Sequence, residues 1–465
     1  MKSHKLCSGV FLSAIMRNVL SGFFAVLLLF HPLSIMAKEQ KTPLIIVTSF
    51  PQSLFSRFKA AFEQQHPEIE VLIRSKKTSA AISFIEERQS EPVDLVWVSA
   101  PDAFEVLKKS EQLLKAFPTS SDDPLRVSGY PVDDPDGFYR GFAISGYGIL
   151  WNTDYLKRYG LPEPKGWSDL TRPEYAGHIA ITAPSRSGTT HLIVETLLQG
   201  KGWQDGWATL LELSGNLATI TARSFGVLDG VLTGRFGVGA TIDFFGLSAK
   251  ATEAPVEFIY PEITTFLPAS IGIVKRVENL QSARLFADFL LSEQGQRLLF
   301  EPEISRLPVS KAAYRQAPVG YPSPFTGTLA GWGITFDTAL SHQRYHMVNT
   351  LFDIVITYRL QSLRRAWAAI RKAEILLARH QRVDLAAKLE HARSLLKQVP
   401  LSLADSTDDV LAARFVRHKP GIALPASQIE MERQWNNVVQ ANQSEALRLA
   451  DEVVESLRQA GLSVQ

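Results

Sequence analysis

Over roughly the first two thirds of the chain, short apolar runs alternate with longer stretches in which apolar residues recur at helical spacing. Leu44 to Val47, Ile69 to Ile73 and Val93 to Val98 are compact runs with the length and branched content of buried strands. Between the first two, Leu54, Phe58, Ala61 and Phe62 mark one face of a helix that opens after Ser49-Phe50-Pro51-Gln52-Ser53. A second helical pattern runs from Thr78 to Gln89, and Ser99-Ala100-Pro101-Asp102 begins a third. Alternating strands and helices predict a parallel sheet covered on both faces. Ligands of such sheets bind at the carboxyl ends of the strands, where Ser49, Phe50 and Ser99 fall.

The pattern then changes scale. Phe142 to Trp151 reads as one long strand with a polar centre, Ser145-Gly146-Tyr147-Gly148, able to run from one lobe into another, its glycines admitting a ligand or a second backbone. Ile179 to Ile181, then Pro184-Ser185-Arg186-Ser187-Gly188-Thr189-Thr190, then Leu192 to Leu198 reads as strand, polar turn and helix. Unpaired N–H groups and the dipole at such a helix start suit an anion, and Arg186 adds a planar cation. The same residues equally make an ordinary helix cap, so this segment alone leaves both readings open. A helix over Ser282 to Phe300 is expected to pack back on the first lobe.

Past the linker-like stretch Gln316 to Phe325, helical periodicity takes over. Val348, Leu351, Val355, Leu363, Trp367, Ile370 and Leu377 form one stripe, and Leu385, Leu389 and Leu396 continue it. Ser427-Gln428-Ile429-Glu430 reads as a capping box before a third helix, and Leu447, Val453 and Leu457 suggest a fourth. The expectation is an antiparallel bundle or helical hairpin that buries its stripes against itself or the second lobe.

With 465 residues, 45% hydrophobic and 21% charged, the chain reads as a soluble protein of more than one domain. Its net charge of +2 comes without a dense basic tract, which argues against nucleic acid as a partner. Lys2, Lys5 and Arg17 precede the apolar run Val19 to Phe30, and Ile35-Met36-Ala37 supplies a cleavage point. This predicts a signal peptide over residues 1–37 and a periplasmic protein that is not membrane-embedded after cleavage. The single cysteine, Cys7, lies before that run, so the mature chain carries neither a disulfide nor a cysteine metal site.

The ordered set Gly148-Ile149-Leu150-Trp151-Asn152-Thr153-Asp154, Gly160-Leu161-Pro162-Glu163-Pro164, Trp167 to Leu170, Pro173 to Gly177, Pro184 to Thr190 and Ser305-Arg306-Leu307-Pro308-Val309 resembles the extracytoplasmic solute-binding proteins of ABC transporters. Within that family it is similar to the iron(III), thiamine, phosphonate and phosphoglycerate-regulatory branch. The resemblance covers about Leu44 to Tyr314 and implies a type II periplasmic binding protein fold, two α/β lobes joined by crossing strands, here followed by an all-α helical extension. The implied division is a first lobe of residues 38–144 and 270–315, a second lobe of 145–269, a linker of 316–340 and an extension of 341–465. The first crossing would be Ser145 to Leu150, and the return would lie near Ala240 to Asp243 or in Ala269 to Val274.

Carried over position by position, the resemblance implies ligand contacts from Ser49, Phe50, Ser99, Ser145, Gly146, Tyr147, Ser187, Gly188, Thr189 and Thr190, with Arg186 beside them. Ser224 and Arg223 precede another helix; Arg223 is read as a contact or as a surface residue. Asp243 is read as a hydroxyl acceptor for the ligand or as a turn residue. Iron binders of the branch carry paired tyrosines where this chain has Phe244-Phe245, which disfavours a tyrosine-held ferric ion.

No Gly-x-Ser-x-Gly, His-Glu-x-x-His, Walker lysine loop or dinucleotide fingerprint is present. Gly234 to Gly239 has the wrong spacing and reads as close packing; His191 reads as a capping or packing residue rather than a base, and His66 as a helix C-cap. The resulting reading is a binding protein, not an enzyme, with no cofactor and no metal, that captures a small anionic solute such as phosphoglycerate or a phosphonate. Its partner is an ABC transporter permease or a membrane sensor kinase. The alternatives are a ferric iron or thiamine binding protein and, from another class, a secreted hydrolase of phosphorylated substrates. A second reading of the extension is a docking surface for a membrane partner such as a sensor kinase's periplasmic domain; on that reading removing residues after about Pro318 leaves ligand affinity intact and abolishes signalling.

Overall fold

Residues 41–86, 92–119, 125–380, 382–416 and 423–460 are described by the structure, a computed structural model. The expected signal peptide and Cys7 lie outside the described residues. Strand β1 (Thr42–Thr48) is flanked by β2 (Ile69–Ser75) and β3 (Leu95–Val98), both parallel to it. Its side chains alternate between two cores. Leu44 and Ile46 join Leu95 and Trp97 beneath α1 (Gln52–Gln65), whereas Val47 joins Val96 and Val98 beneath α2 (Thr78–Glu86) and α3 (Pro101–Lys109). A strand buried on both faces has to be apolar throughout, which is why these runs lack polar alternation.

A hairpin of β4 (Arg126–Val127) and β5 (Tyr130–Pro131) leads to β6 (Tyr139–Asn152), the strand that belongs to both lobes. The second lobe follows as α4 (Thr153–Tyr159), β7 (Ile179–Thr182), α5 (Gly188–Lys201), α6 (Trp203–Ser214), β8 (Leu217–Thr221), α7 (Phe225–Leu232), β9 (Val238–Ile242), α8 (Asp243–Ala251) and β10 (Val256–Ile259). The chain returns through β11 (Phe266–Ile273), α9 (Leu280–Leu291), α10 (Glu293–Leu298) and β12 (Leu307–Pro308). The strand order is β2-β1-β3-β11-β6-β9-β7-β8, with β10 and β12 also paired to β6.

Register locates the hinge. Tyr139 to Gly146 of β6 pair with β11, and Tyr147 to Asn152 pair with β9 and β10. The return therefore runs through Tyr260 to Thr265, between β10 and β11, rather than through Ala240 to Asp243, which end β9 and begin α8, or Ala269 to Val274, which lie in and just past β11. The glycines of the first crossing admit protein: a Cβ on Gly148 would stand 2.0 Å from the Ile259 carbonyl oxygen, and one on Gly146 would stand 2.6 Å from the Tyr260 ring. The helix expected over 282–300 is broken in two, because Ser292 caps α10 through Gly295 N at 3.1 Å.

The extension comprises α11 (Thr338–Gln343), α12 (Tyr345–Phe352), a π-helical turn at Asp353–Thr357, α13 (Leu360–Leu377), α14 (Val383–Leu396), two short helices, α15 (Leu403–Ser406) and α16 (Asp409–Ala412), and α17 (Ala426–Gln459). The two last helices expected from sequence are one: α17 runs unbroken for 34 residues. Nor does Ser427 cap it, since the helix begins after Pro425; Gln428 is buried instead and accepts from Val416 N at 3.0 Å. The extension shares a core with the second lobe. Trp207, Leu210 and Leu211 of α6 sit in one cluster with Trp367, Ile370, Leu389 and Val453, and the Trp367 indole donates to the Leu211 carbonyl at 3.1 Å. Among the described residues no helix is long and apolar enough to cross a membrane.

Candidate functional site

Arg306 ends the loop before β12, and because β12 pairs with Ala143 and Ile144 of β6, that arginine is delivered to the hinge. Its Nη1 donates to Ser145 Oγ at 3.2 Å. The guanidinium lies between two rings, 4.8 Å from the centroid of Phe50 in the first lobe and 3.9 Å from that of Phe244 in the second. It is 1% exposed, and its Nε has no partner among the described residues. Burial pulls its pKa down to about 10, against the opposing pull of the Asp243 charge, so it stays cationic at neutral pH. A buried cation without a paired carboxylate is costly unless an anion joins it.

Asp243 begins α8 just after β9 and is wholly buried. Its Oδ2 accepts from Gly146 N at 2.6 Å and from the Tyr260 hydroxyl at 3.1 Å, and Oδ1 accepts from Phe244 N at 2.7 Å. The carboxyl thus ties both crossings to the start of α8. Burial raises its pKa to about 7, although these hydrogen bonds and the Arg306 charge act the other way. Tyr147 is fixed by its backbone to Thr264 Oγ1 at 3.3 Å, and its side chain feels Asp243, Asp102 and Arg306. Burial pushes the hydroxyls of Tyr147 and Tyr260 up, keeping them neutral donors rather than phenolates.

The remaining sequence candidates fall into two groups. Ser49 Oγ is buried without a partner among the described residues, and the Phe50 ring packs on Trp97 and Phe142 as well as Arg306. With Ser145, Gly146, Tyr147 and Asp243 they gather at the junction. Ser99 is half-buried just before α3. Ser187 is the N-cap of α5, its Oγ accepting from Thr190 N at 3.2 Å; Thr190 is buried, Thr189 half-buried and Gly188 exposed. Arg186 and Arg223 are exposed on the second lobe, Arg223 over the Phe225 ring at 5.9 Å, and Ser224 precedes α7 without a side-chain cap bond.

Between the helix ends, Asp102 in the first turn of α3 and His191 in α5 are near enough to act on each other's titration, and burial favours the neutral form of both, raising the Asp102 pKa and lowering that of His191. His191 itself is a packing residue, as its Nδ1 meets Asn349 Oδ1 at 2.8 Å and its Nε2 meets Ser341 Oγ at 3.0 Å. Gly237 and Gly239 are packing positions too, against Tyr155 and Val227. Arg306, Phe244, Tyr260 and Asp102 join this junction in the structure, and sequence reading passes over them as candidate contacts. The available signal for Arg306 is its setting, a lone arginine among Ile304, Leu307, Pro308 and Val309.

A hinged two-lobe α/β protein with a buried cation at the lobe junction is built as a solute-binding protein. Comparison bears this out: the family model for bacterial extracellular solute-binding proteins matches residues 92–325. The chain belongs to that family. The phosphoglycerate transport regulatory protein PgtC of Salmonella typhimurium is 30% identical over 383 residues, covering 80% of this chain and 89% of that one. That match is longer than the two lobes and so reaches into the extension. Iron uptake protein A1 of Synechocystis is 26% identical over 38% of this chain and 53% of its own. Among solved structures, the periplasmic binding protein AfuA from Actinobacillus pleuropneumoniae, with fructose-6-phosphate bound, has a TM-score of 0.57 at 23% identity, covering 67% of this chain and 98% of that one. Iron-bound HitA from Pseudomonas aeruginosa has a TM-score of 0.53 at 17% identity, covering 64% and 94%. These two likenesses concern the fold, that of a type II periplasmic binding protein, and cover about two thirds of this chain, which also carries a C-terminal helical extension.

Proposed function

We propose that the protein captures a small phosphorylated anion between its lobes, phosphoglycerate or a related organophosphate, for uptake or for signalling through a membrane partner. The observation that carries this reading is Arg306, a fully buried guanidinium at the junction with an unpartnered Nε. An anionic head group would meet that cation together with the hydroxyls of Ser49, Ser145 and Tyr147. Hydrogen bonds between charged and neutral groups in such a dry setting are the strong kind. The rest of the ligand would extend past Tyr147 toward Asp102 and the start of α5, where the Ser187 to Thr190 turn forms the second lobe's wall.

The names of two relatives support an organophosphate over a bare metal ion, and the chain's own residues support it as well. Phe244 and Phe245 offer no ligating atom, and the nearby tyrosines are held as neutral hydroxyls. Binding would then favour the lobe arrangement that a membrane partner recognises. Thermal-shift measurement against 3-phosphoglycerate, glucose 6-phosphate, aminoethylphosphonate, thiamine and ferric citrate tests the reading. A phosphorylated compound should raise Tm; stabilisation only by thiamine or ferric citrate would overturn it, and turnover of a phosphate ester would establish an enzyme instead.

A further inference from the structure

The extension grips the two lobes unequally. On the second lobe it is fused: Arg344 meets Glu195 of α5 through Nε–Oε1 at 2.9 Å and Nη2–Oε2 at 2.8 Å, His191 is held by Ser341 and Asn349, and Asp337 and Gln199 exchange bonds at 2.8 and 3.1 Å. Toward the first lobe, where the preceding Tyr321, Phe325 and Leu329 are already packed against Val127, Ile144 and Leu307, residues 332–343 themselves are held more lightly. Ser128 Oγ donates to the Trp332 carbonyl at 2.6 Å, the Tyr130 hydroxyl reaches Thr338 Oγ1 at 3.5 Å, and α11 lies against α3, with His342 near enough to Asp102 for each to act on the other's titration, although burial favours the neutral form of both.

Between these anchors the chain is laid along the hinge itself. Ile334 N donates to the Thr264 carbonyl at 2.7 Å, the Thr265 hydroxyl reaches the Ile334 carbonyl at 3.4 Å, and the Trp332 indole donates to the Pro261 carbonyl at 3.0 Å. All three acceptors or donors on the lobe side belong to the second crossing. A rotation that separates the lobes must therefore break the Ser128, Tyr130 and α3 contacts while α11 travels with α5.

We propose that residues 332–343 form a closure latch, fixed to the second lobe and released from the first whenever the cleft opens. Heavy attachment on one side and light attachment on the other is what a reversible catch requires. A strap welded to both lobes would freeze the hinge, and one attached to a single lobe would not sense it. Occupancy of the cleft and seating of α11 on the first lobe thus become one equilibrium, and the latch adds to the lifetime of any bound solute. The link to solute lifetime rests on the ligand reading above; the latch itself rests on these contacts.

The test is an interlobe distance in the full-length chain. Nitroxides are placed on Gln64→Cys in α1 and Lys157→Cys in α4, both exposed, in a Cys7→Ser background, and read by pulsed EPR with and without 3-phosphoglycerate. The parent should show a short distance without the probe. Thr338→Ala combined with His342→Ala should lengthen and broaden it, 3-phosphoglycerate should restore it, and the probe should dissociate about tenfold faster from the variant. Ser128→Ala, which removes the hydroxyl bonded to the Trp332 carbonyl, gives the same readout if the double variant folds poorly. Identical unliganded distances in parent and variants would overturn the latch, as would a parent that is already as open as they are. If the probe shifts no distance, the ligand reading fails while the unliganded distances still decide the latch.

Discussion

Among the described residues two arginines are buried almost completely, and they live opposite lives. Arg344, 2% exposed, is closed on both sides by the carboxylate of Glu195, touches Ser406 Oγ at 3.4 Å and lies over Trp203. Arg306, 1% exposed, has one serine hydroxyl, two aromatic faces and, among the described residues, no carboxylate in contact. The first is a seam fastening, complete within the chain. The second, on the reading proposed above, is a charge that a bound anion would compensate, which is what would separate a structural arginine from a binding one. Asp243 could have neutralised Arg306, but its oxygens are spent on Gly146, Phe244 and Tyr260.

The contrast can be broken by substitution. Glu195→Ala strands Arg344 and should cost about 3–5 kcal/mol of stability in urea unfolding. Arg306→Met should do the reverse, leaving stability unchanged or raised while removing about 2–5 kcal/mol of anion binding free energy by calorimetry. Equal stability losses in the two variants would erase the distinction.

A pH series sharpens it further. With the Asp243 pKa raised from 3.8 to about 7, the folded protein holds a proton that the unfolded chain releases across that interval. The sign follows: this group's contribution to stability is greatest below about pH 4 and declines as pH rises to 7. Asp243→Asn should flatten that decline, and it should also flatten any fall in anion affinity with rising pH beyond that caused by the ligand's own titration. The smallest effects come from single hydroxyls. Ser49→Ala should weaken anion binding by about 1.5 kcal/mol with little change in stability. Ser187→Ala, which removes the α5 cap, should cost about 1 kcal/mol of stability. A loss of affinity there as large as at Ser49 would bring the α5 turn into the head-group site.

The architecture was legible because burial on two faces leaves an apolar signature, as in Leu44 to Val47, and because the extension keeps helical spacing from Val348 onward. The hinge glycines were legible too. What escaped was pairing between distant segments. Arg306 reads as one more loop arginine until β12 brings it beside Ser145, and Phe244 reads as a missing ligand until a guanidinium lies on it. The seam with the extension left a fainter trace: His191 and Glu195, four apart on α5 and flanking Leu192-Ile193-Val194, are buried polar groups that only a facing surface could satisfy. That seam agrees with a bundle buried against the second lobe and goes against a deletion that leaves ligand affinity intact, since removing residues after Pro318 would uncover α5 and α6 and take away the partners of Glu195, His191 and Trp203.

At 34 residues, α17 is a rod about 50 Å long. Through α13 and α14 it is mounted on the second lobe. A rotation of about 15° at its base would sweep its far end by about 13 Å. A displacement too small to be noticed at the cleft would arrive at the tip as a shift wider than a helix, which gives the chain a mechanical gain between the solute it holds and whatever reads the rod.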